Sequence, residues 1–204
     1  MDMDSPDLEF PHIQNLFADR GSIEELDSKS GHAIEIGTQA VWSVSSCKSG
    51  YGVTHLRDNS METYWQSDGA QPHLINIEFT RKTAIRTIKV FADYKLDESY
   101  TPSKIFVRCG TNFHDLQKIT TVDLEEPEGW VDIDILDENE QPIKAFVFQV
   151  AVLANHQNGR DTHIRQVKVF EPKWSSESRT NTEKELLKDT DFRSIDFTSM
   201  LCLR

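Results

Sequence analysis

Cysteine is scarce: Cys47, Cys109 and Cys202 are the only three in 204 residues. An odd number at wide spacing does not make a disulfide framework, and without a Cys-x-x-Cys pair there is no zinc signature. Reduced thiols in a cytosolic or nuclear setting are the expectation. Long apolar runs are missing too. The longest, Ala145 to Ala154, is interrupted by Gln149 and is too short to span a bilayer. The first residues are acidic, without a basic flank and an apolar segment, so no secretory signal is expected. Basic charge is in deficit. Lys and Arg number 22 against 34 Asp and Glu, a net charge of −12. That argues against nucleic acid and anionic membranes as partners and leaves basic partners open. Nucleophile motifs and internal repeats are also lacking. His156 and His163 flank one polar loop, but no Ser or Cys pairs with them in a recognisable pattern. Asp58 and Asp68 are acids whose sequence spacing says nothing of their separation in space. No catalytic group, metal ligand set or cofactor is expected, and a non-catalytic binding module is.

What is present divides unevenly. Residues 1–31 hold eight acids and two bases and read as an acidic, mostly disordered leader. Residues 173–204 hold six of each. Ser, Thr, Lys and Glu dominate up to residue 190, which reads as a flexible arm. Its end, Met200-Leu201-Cys202-Leu203-Arg204, is different: apolar, then a guanidinium beside a free carboxylate. Between these tails, 32–172 reads as one folded domain.

That domain is organised around Leu56 to Phe79. Pro72 and His73 open a strand in which Ile75, Ile77 and Phe79 alternate with polar Asn76 and Glu78, the period of a half-buried strand. Before it stand Tyr64 and Trp65 and the polar turn Gln66-Ser67-Asp68-Gly69. A large aromatic followed by such a turn suits a surface loop carried on a packed base. Core packing is the simpler reading for Trp65; for Tyr64, core and surface are equally open. Glu35 to Ser46 reads as an entering strand with Trp42 buried. Lys48 to Gly52 reads as a loop, and Thr54 as the cap of a helical turn. Further strands are expected at Ile85–Ala92, Lys104–Arg108, Ile119–Leu124, Trp130–Leu136, Ala145–Leu153 and Ile164–Phe170. A polar loop, YKLDESYTPSK, precedes the second of these, and Glu125 to Gly129 reads as a hairpin connection. Ala145–Leu153 is apolar on both faces, as a central strand is. Many short strands with turn signals between them indicate an all-β sandwich or jelly roll. The loop Ala154 to Gln166, ANHQNGRDTHIRQ, is almost wholly polar between two apolar strands. It either recognises a polar ligand or peptide, or satisfies itself.

Four runs carry a resemblance: EIGTQAVWSVSSCKSGYGV, LRDNSMETYWQSDGAQPHL, ADYKLDESYTPSKI and VLANHQNGRDTHIRQ. From about Ile34 to Phe170 the chain resembles the DOC domain, found in a substrate-recognition subunit of the anaphase-promoting complex (cyclosome). The wider superfamily pattern stands here as Leu56-x-Asp58 leading to Thr63-x-Trp65. The resemblance implies a galactose-binding-like, discoidin-like jelly roll with ligand loops at one end. It implies a non-catalytic ubiquitin-ligase subunit of the nucleus and cytoplasm, acting in cell-cycle control. Such a subunit helps bind destruction-box degrons, Arg-x-x-Leu segments, jointly with an activator subunit, and raises processivity. The degron residues it points to are Tyr64, Ser67, Asp68, Asn155, His156, Asn158 and Asp161. The family's C-terminal Ile-Arg, which docks in a TPR scaffold subunit, is Leu203-Arg204 here, one aliphatic swap away. The rest of 173–202 diverges apart from Ser194 to Phe197, and the leader is not covered. The alternative that the fold alone would allow is a carbohydrate-binding module.

Overall fold

The computed structural model describes residues 33–172. The acidic leader and the C-terminal arm with Leu203 and Arg204 lie outside the described residues. Eleven strands form the body: β1 (Ala33–Glu35), β2 (Ala40–Val44), β3 (Trp65–Gln66), β4 (His73–Ile85), β5 (Thr87–Asp93), β6 (Pro102–Gly110), β7 (Gln117–Asp123), β8 (Glu128–Asp134), β9 (Ile143–Asn155), β10 (His163–Ile164) and β11 (Gln166–Pro172). They make a five-stranded sheet, β2-β4-β9-β6-β7, a four-stranded sheet, β1-β11-β5-β8, and the small pair β10-β3. Every strand pair is antiparallel. The all-β jelly-roll expectation holds.

The core lies between the two large sheets. Ile75, Ile77 and Phe79 of β4 are buried, as are Ile88 and Val90 of β5, Ile105 and Val107 of β6 and Val167 and Val169 of β11. β9 lies inside its sheet between β4 and β6. Val147, Phe148, Val150, Ala151 and Val152 are all buried there, which is why that stretch shows no clean alternation.

Several expectations need correction. The entering strand is split: after β1 the chain makes a 3-10 turn over Gly37–Gln39 before β2. Trp42 is half-buried, not in the core. β2 is an edge strand, and the indole covers the Arg57 guanidinium at 4.9 Å while its N–H donates to the Gly37 carbonyl at 2.8 Å. Thr54 caps nothing: the 3-10 turn Val53–Leu56 starts from Gly52, and no side chain caps it. The segment read as a polar loop before β6 contains a short helix, α1 (Tyr94–Asp97), and a 3-10 turn at Glu98–Tyr100. Asp93 caps α1, its carboxylate accepting from the Leu96 N–H at 3.2 Å, as an acid at that position does. Cys109 and Gly110, expected to form a turn with Thr111 and Asn112, belong to β6. The connection from β7 to β8 is no hairpin. β7 pairs with β6 and β8 with β5, so Leu124–Pro127 crosses from one sheet to the other. Local alternation marks a strand but not its partner: β7 folds back on the preceding β6, while β8 returns to β5, earlier in the chain.

Candidate functional site

Two separate stretches are stapled together at one end of the sandwich. β3 and β10 pair His163 with Gln66 and Ile164 with Trp65. Trp65 is fully buried, and its indole N–H donates to the Ser46 carbonyl at 2.9 Å, so it is a core residue with its polar edge satisfied. Beyond it, the Ser67 N–H donates to the Thr162 carbonyl and the Thr162 N–H donates to Ser67 Oγ at 2.9 Å. Gln71 donates to the carbonyls of Gly159 and Arg160, and His73 Nε2 lies 2.7 Å from the Arg160 carbonyl. The turn after Trp65 and the loop after β9 therefore form one surface.

The residues singled out in the sequence have different tasks on that surface. Asp68 and Asn158 are exposed; Tyr64, His156 and Asp161 are half-buried. Ser67 is 1% exposed and its hydroxyl is engaged with Thr162, so it clasps the two loops. Asn155 is buried too, its amide donating to the carbonyls of Gly159 and Asp161; it sets the shape of the loop. Gln157 and Asn158 both take positive φ, 51° and 58°, a conformation uncommon outside glycine and concentrated at functional loops. Gly159 is required by a close approach, since a Cβ there would overlap the Ser99 carbonyl. The His156 ring sits edge-on against Tyr94, whose hydroxyl accepts from Gln157 at 3.0 Å.

The Leu-x-Asp to Thr-x-Trp pattern turns out to be a brace. Asp58 accepts from Thr63 Oγ1 at 2.6 Å, from the Ser60 N–H and from the Gln166 amide. Burial pushes its carboxyl up, but these hydrogen bonds, led by Thr63, and the nearby His55 outweigh it and hold the carboxyl below the usual range.

The sequence reading missed a buried charge network beneath the loops. Asp97 Oδ1 lies 3.0 Å from His163 Nδ1. Arg165 grips both Asp97 oxygens, Nε to Oδ2 and Nη2 to Oδ1, each at 2.9 Å, and donates through Nη1 to the Met61 carbonyl at 2.7 Å. Burial raises the Asp97 pKa; hydrogen bonds from His163 and Arg165 lower it further than burial raises it, so the carboxyl sits below its ordinary value. Over this network stand four stacked rings. Tyr51 and Tyr64 are 5.0 Å apart, Tyr64 and His163 4.1 Å, and His163 and Tyr100 4.2 Å. Burial and a hydrogen bond with Tyr51 push the Tyr64 hydroxyl pKa up. No local signal marked the network: Arg165 stands beside Gln166 at the end of a polar loop, as a surface charge would.

Six buried side-chain atoms lack a protein hydrogen-bond partner among the described residues: His73 Nδ1, Thr101 Oγ1, Asn155 Oδ1, His156 Nε2, Asp161 Oδ1 and His163 Nε2. All lie on the 155–163 loop or on residues bonded to it. Beside His156 opens a cleft of about 500 Å³ lined also by Leu124, Glu125 and Glu126. With Asp68 and Asn158 exposed at this end, the surface suits a polar ligand. Among the described residues, no group of three or more His, Cys, Asp or Glu could hold a metal ion.

Comparison with known proteins bears on this surface. The family model described as anaphase-promoting complex, subunit 10, matches residues 17–198, reaching into both the leader and the arm that the resemblance had left largely uncovered. The chain is 60% identical over 144 residues to anaphase-promoting complex subunit 10 of Homo sapiens, covering 71% of this chain and 78% of that one. It is 58% identical over 146 residues to the subunit 10 of Drosophila melanogaster, covering 72% and 75%. It is 32% identical over 182 residues to anaphase-promoting complex subunit DOC1 of Saccharomyces cerevisiae, covering 88% and 71%. Among solved structures, the family 32 carbohydrate-binding module of Clostridium perfringens NanJ in complex with galactose superposes with a TM-score of 0.57 at 14% identity, over 69% of this chain and 98% of that one. A further module of that type, from a family 31 glycoside hydrolase of the same organism, gives 0.57 at 15%, over 72% and 98%. At such identities the likeness extends to the fold alone.

Proposed function

The chain belongs to the anaphase-promoting complex subunit 10 family, and we infer from this that it is a non-catalytic subunit of that ubiquitin ligase, acting in cell-cycle control. Beyond membership, we propose that the joined loops hold a destruction-box degron together with an activator subunit and thereby raise processivity. The observation that carries this reading is the stapling of the turn after Trp65 to the loop after β9, through Ser67–Thr162, Gln71–Gly159 and His73–Arg160. A rigid all-β base then presents one polar rim. Asp68, Asp161 and Asn158 offer acceptors for the arginine and backbone amides of an extended Arg-x-x-Leu segment, and Tyr64 and His156 offer ring edges. Ser67 and Asn155 act through the shape of the loops.

Leu203 and Arg204 are proposed to dock in the TPR scaffold subunit, the guanidinium meeting a carboxylate there through its planar fork. Operation in the nucleus and the cytoplasm is part of the same proposal. Changing Asn155, His156, Asn158 and Asp161 together to Ala tests the rim. Complex assembly should be intact, and polyubiquitin chains on destruction-box substrates should shorten in a reconstituted ligase. Unchanged processivity removes these residues from the site.

A further inference from the structure

We propose that Asp97, Arg165 and His163 are positioning residues, which hold the Tyr64 and Tyr100 rings in a fixed column forming one wall of the degron-binding end. This rests on the reading that this end binds degrons. A buried ion pair is weak support for stability, since apolar residues of similar volume often do as well. What this pair does is geometric. Tyr64 and Tyr100 belong to segments distant in sequence, and each needs a tether. Arg165 supplies both: its fork closes on Asp97, three residues before Tyr100, and an Nη1 N–H holds the Met61 carbonyl, three residues before Tyr64. The guanidinium carbon also lies 5.5 Å from the Tyr64 ring centre.

His163 is the spacer. It lies between the two tyrosines, nearly parallel to both, at interplanar angles of 26° and 11°. Its Nδ1 is held by Asp97, and its Nε2 has no protein partner among the described residues; the ring serves by its plane. Tyr100, stacked on His163 by one face, is 40% exposed. Rings ordered during folding need not be ordered by a ligand, and that is how preorganisation strengthens binding.

The test uses the full chain, in a reconstituted ligase with activator and substrate. Arg165→Lys keeps the charge and loses the fork. His163→Ala removes the spacer, and His163→Phe restores a ring while losing only the Asp97 bond. Aromatic NMR reads the ring-current shifts of the Tyr64 and Tyr100 protons, a thermal melt reads folding, and chain length per encounter reads function. Arg165→Lys and His163→Ala should move both tyrosines toward free-tyrosine shifts and cut processivity several-fold, with assembly retained; His163→Phe should recover both readouts. If Arg165→Lys unfolds the chain, the two His163 variants decide, because they leave the Asp97–Arg165 pair in place. Equal processivity of His163→Ala and His163→Phe, with the shifts lost only in the former, overturns the positioning role. The degron reading then still stands, provided that the quadruple loop variant shortens chains. If the quadruple variant has no effect, the degron reading fails and takes the positioning role with it.

Discussion

Replacing Phe148 by Ala probes the whole sandwich. Phe148 is fully buried on β9, between Ile77 of β4 and Cys109 of β6. Its ring meets Phe79 edge-on at 6.3 Å. Truncation of a buried Phe costs about 3–5 kcal/mol, and loss of an edge-to-face pair adds about 0.5–1.5 kcal/mol at sites where it is not already counted. The strand is held on both sides, so the cavity collapses little and the upper part of the range applies. With a urea slope of about 2 kcal/mol per M, a loss of about 4–5 kcal/mol lowers the midpoint by about 2–2.5 M. Against a typical total of about 5–15 kcal/mol, that is a large share. Urea unfolding followed by tryptophan fluorescence measures it, since Trp65 is fully buried when folded. Val41→Ala is the control: its side chain is 64% exposed on an edge strand, and the change should stay within about 0.5 kcal/mol. A Phe148→Ala midpoint within error of the parent, or a Val41→Ala loss of equal size, refutes the assignment of β9 as the core strand.

Four further outcomes are expected. Asp97→Asn leaves the Arg165 guanidinium buried without its counter-charge, which should cost about 3–5 kcal/mol in a urea titration. Asp58 and Asp97 both have carboxyls held below the ordinary value of 3.8; the unfolded state therefore takes up protons first as pH falls. Their stabilisation is complete above the ordinary carboxylate range and is lost as pH drops through the folded values. A pH series of melts should show stability falling with acid, less steeply in Asp97→Asn than in the parent; equal slopes would contradict this. Gly159→Ala should force the loop away from the Ser99 backbone, lowering the thermal melt and shortening ubiquitin chains in the reconstituted ligase. Removing Leu203 and Arg204 should weaken capture of the isolated TPR subunit and leave the melt unchanged; equal capture would end the docking role.

The fold was largely readable because alternation and turn residues report burial directly. Ile75, Ile77 and Phe79 announced β4, and apolar residues on both faces announced β9. Partnership was not readable, since the pattern of β7 and β8 is the same whether they pair or cross between sheets. The loop polar residues were found, but not their division of labour. Ser67 and Asp68 are adjacent and equally polar in the sequence, yet one is a buried clasp and the other is exposed. Asp97 and Arg165 were hidden for a related reason. Each looks like an ordinary surface charge until the fold brings together residues 68 positions apart.

The pairing of Ala33 with Pro172 places the covalent exits of both flanking segments side by side. β11 runs away from the candidate site, beginning at Gln166 beside the loops and ending at Pro172, about 20 Å further along at 3.3 Å per residue. The two points at which the flanking segments join the described body thus lie together at the end of β11 away from the rim.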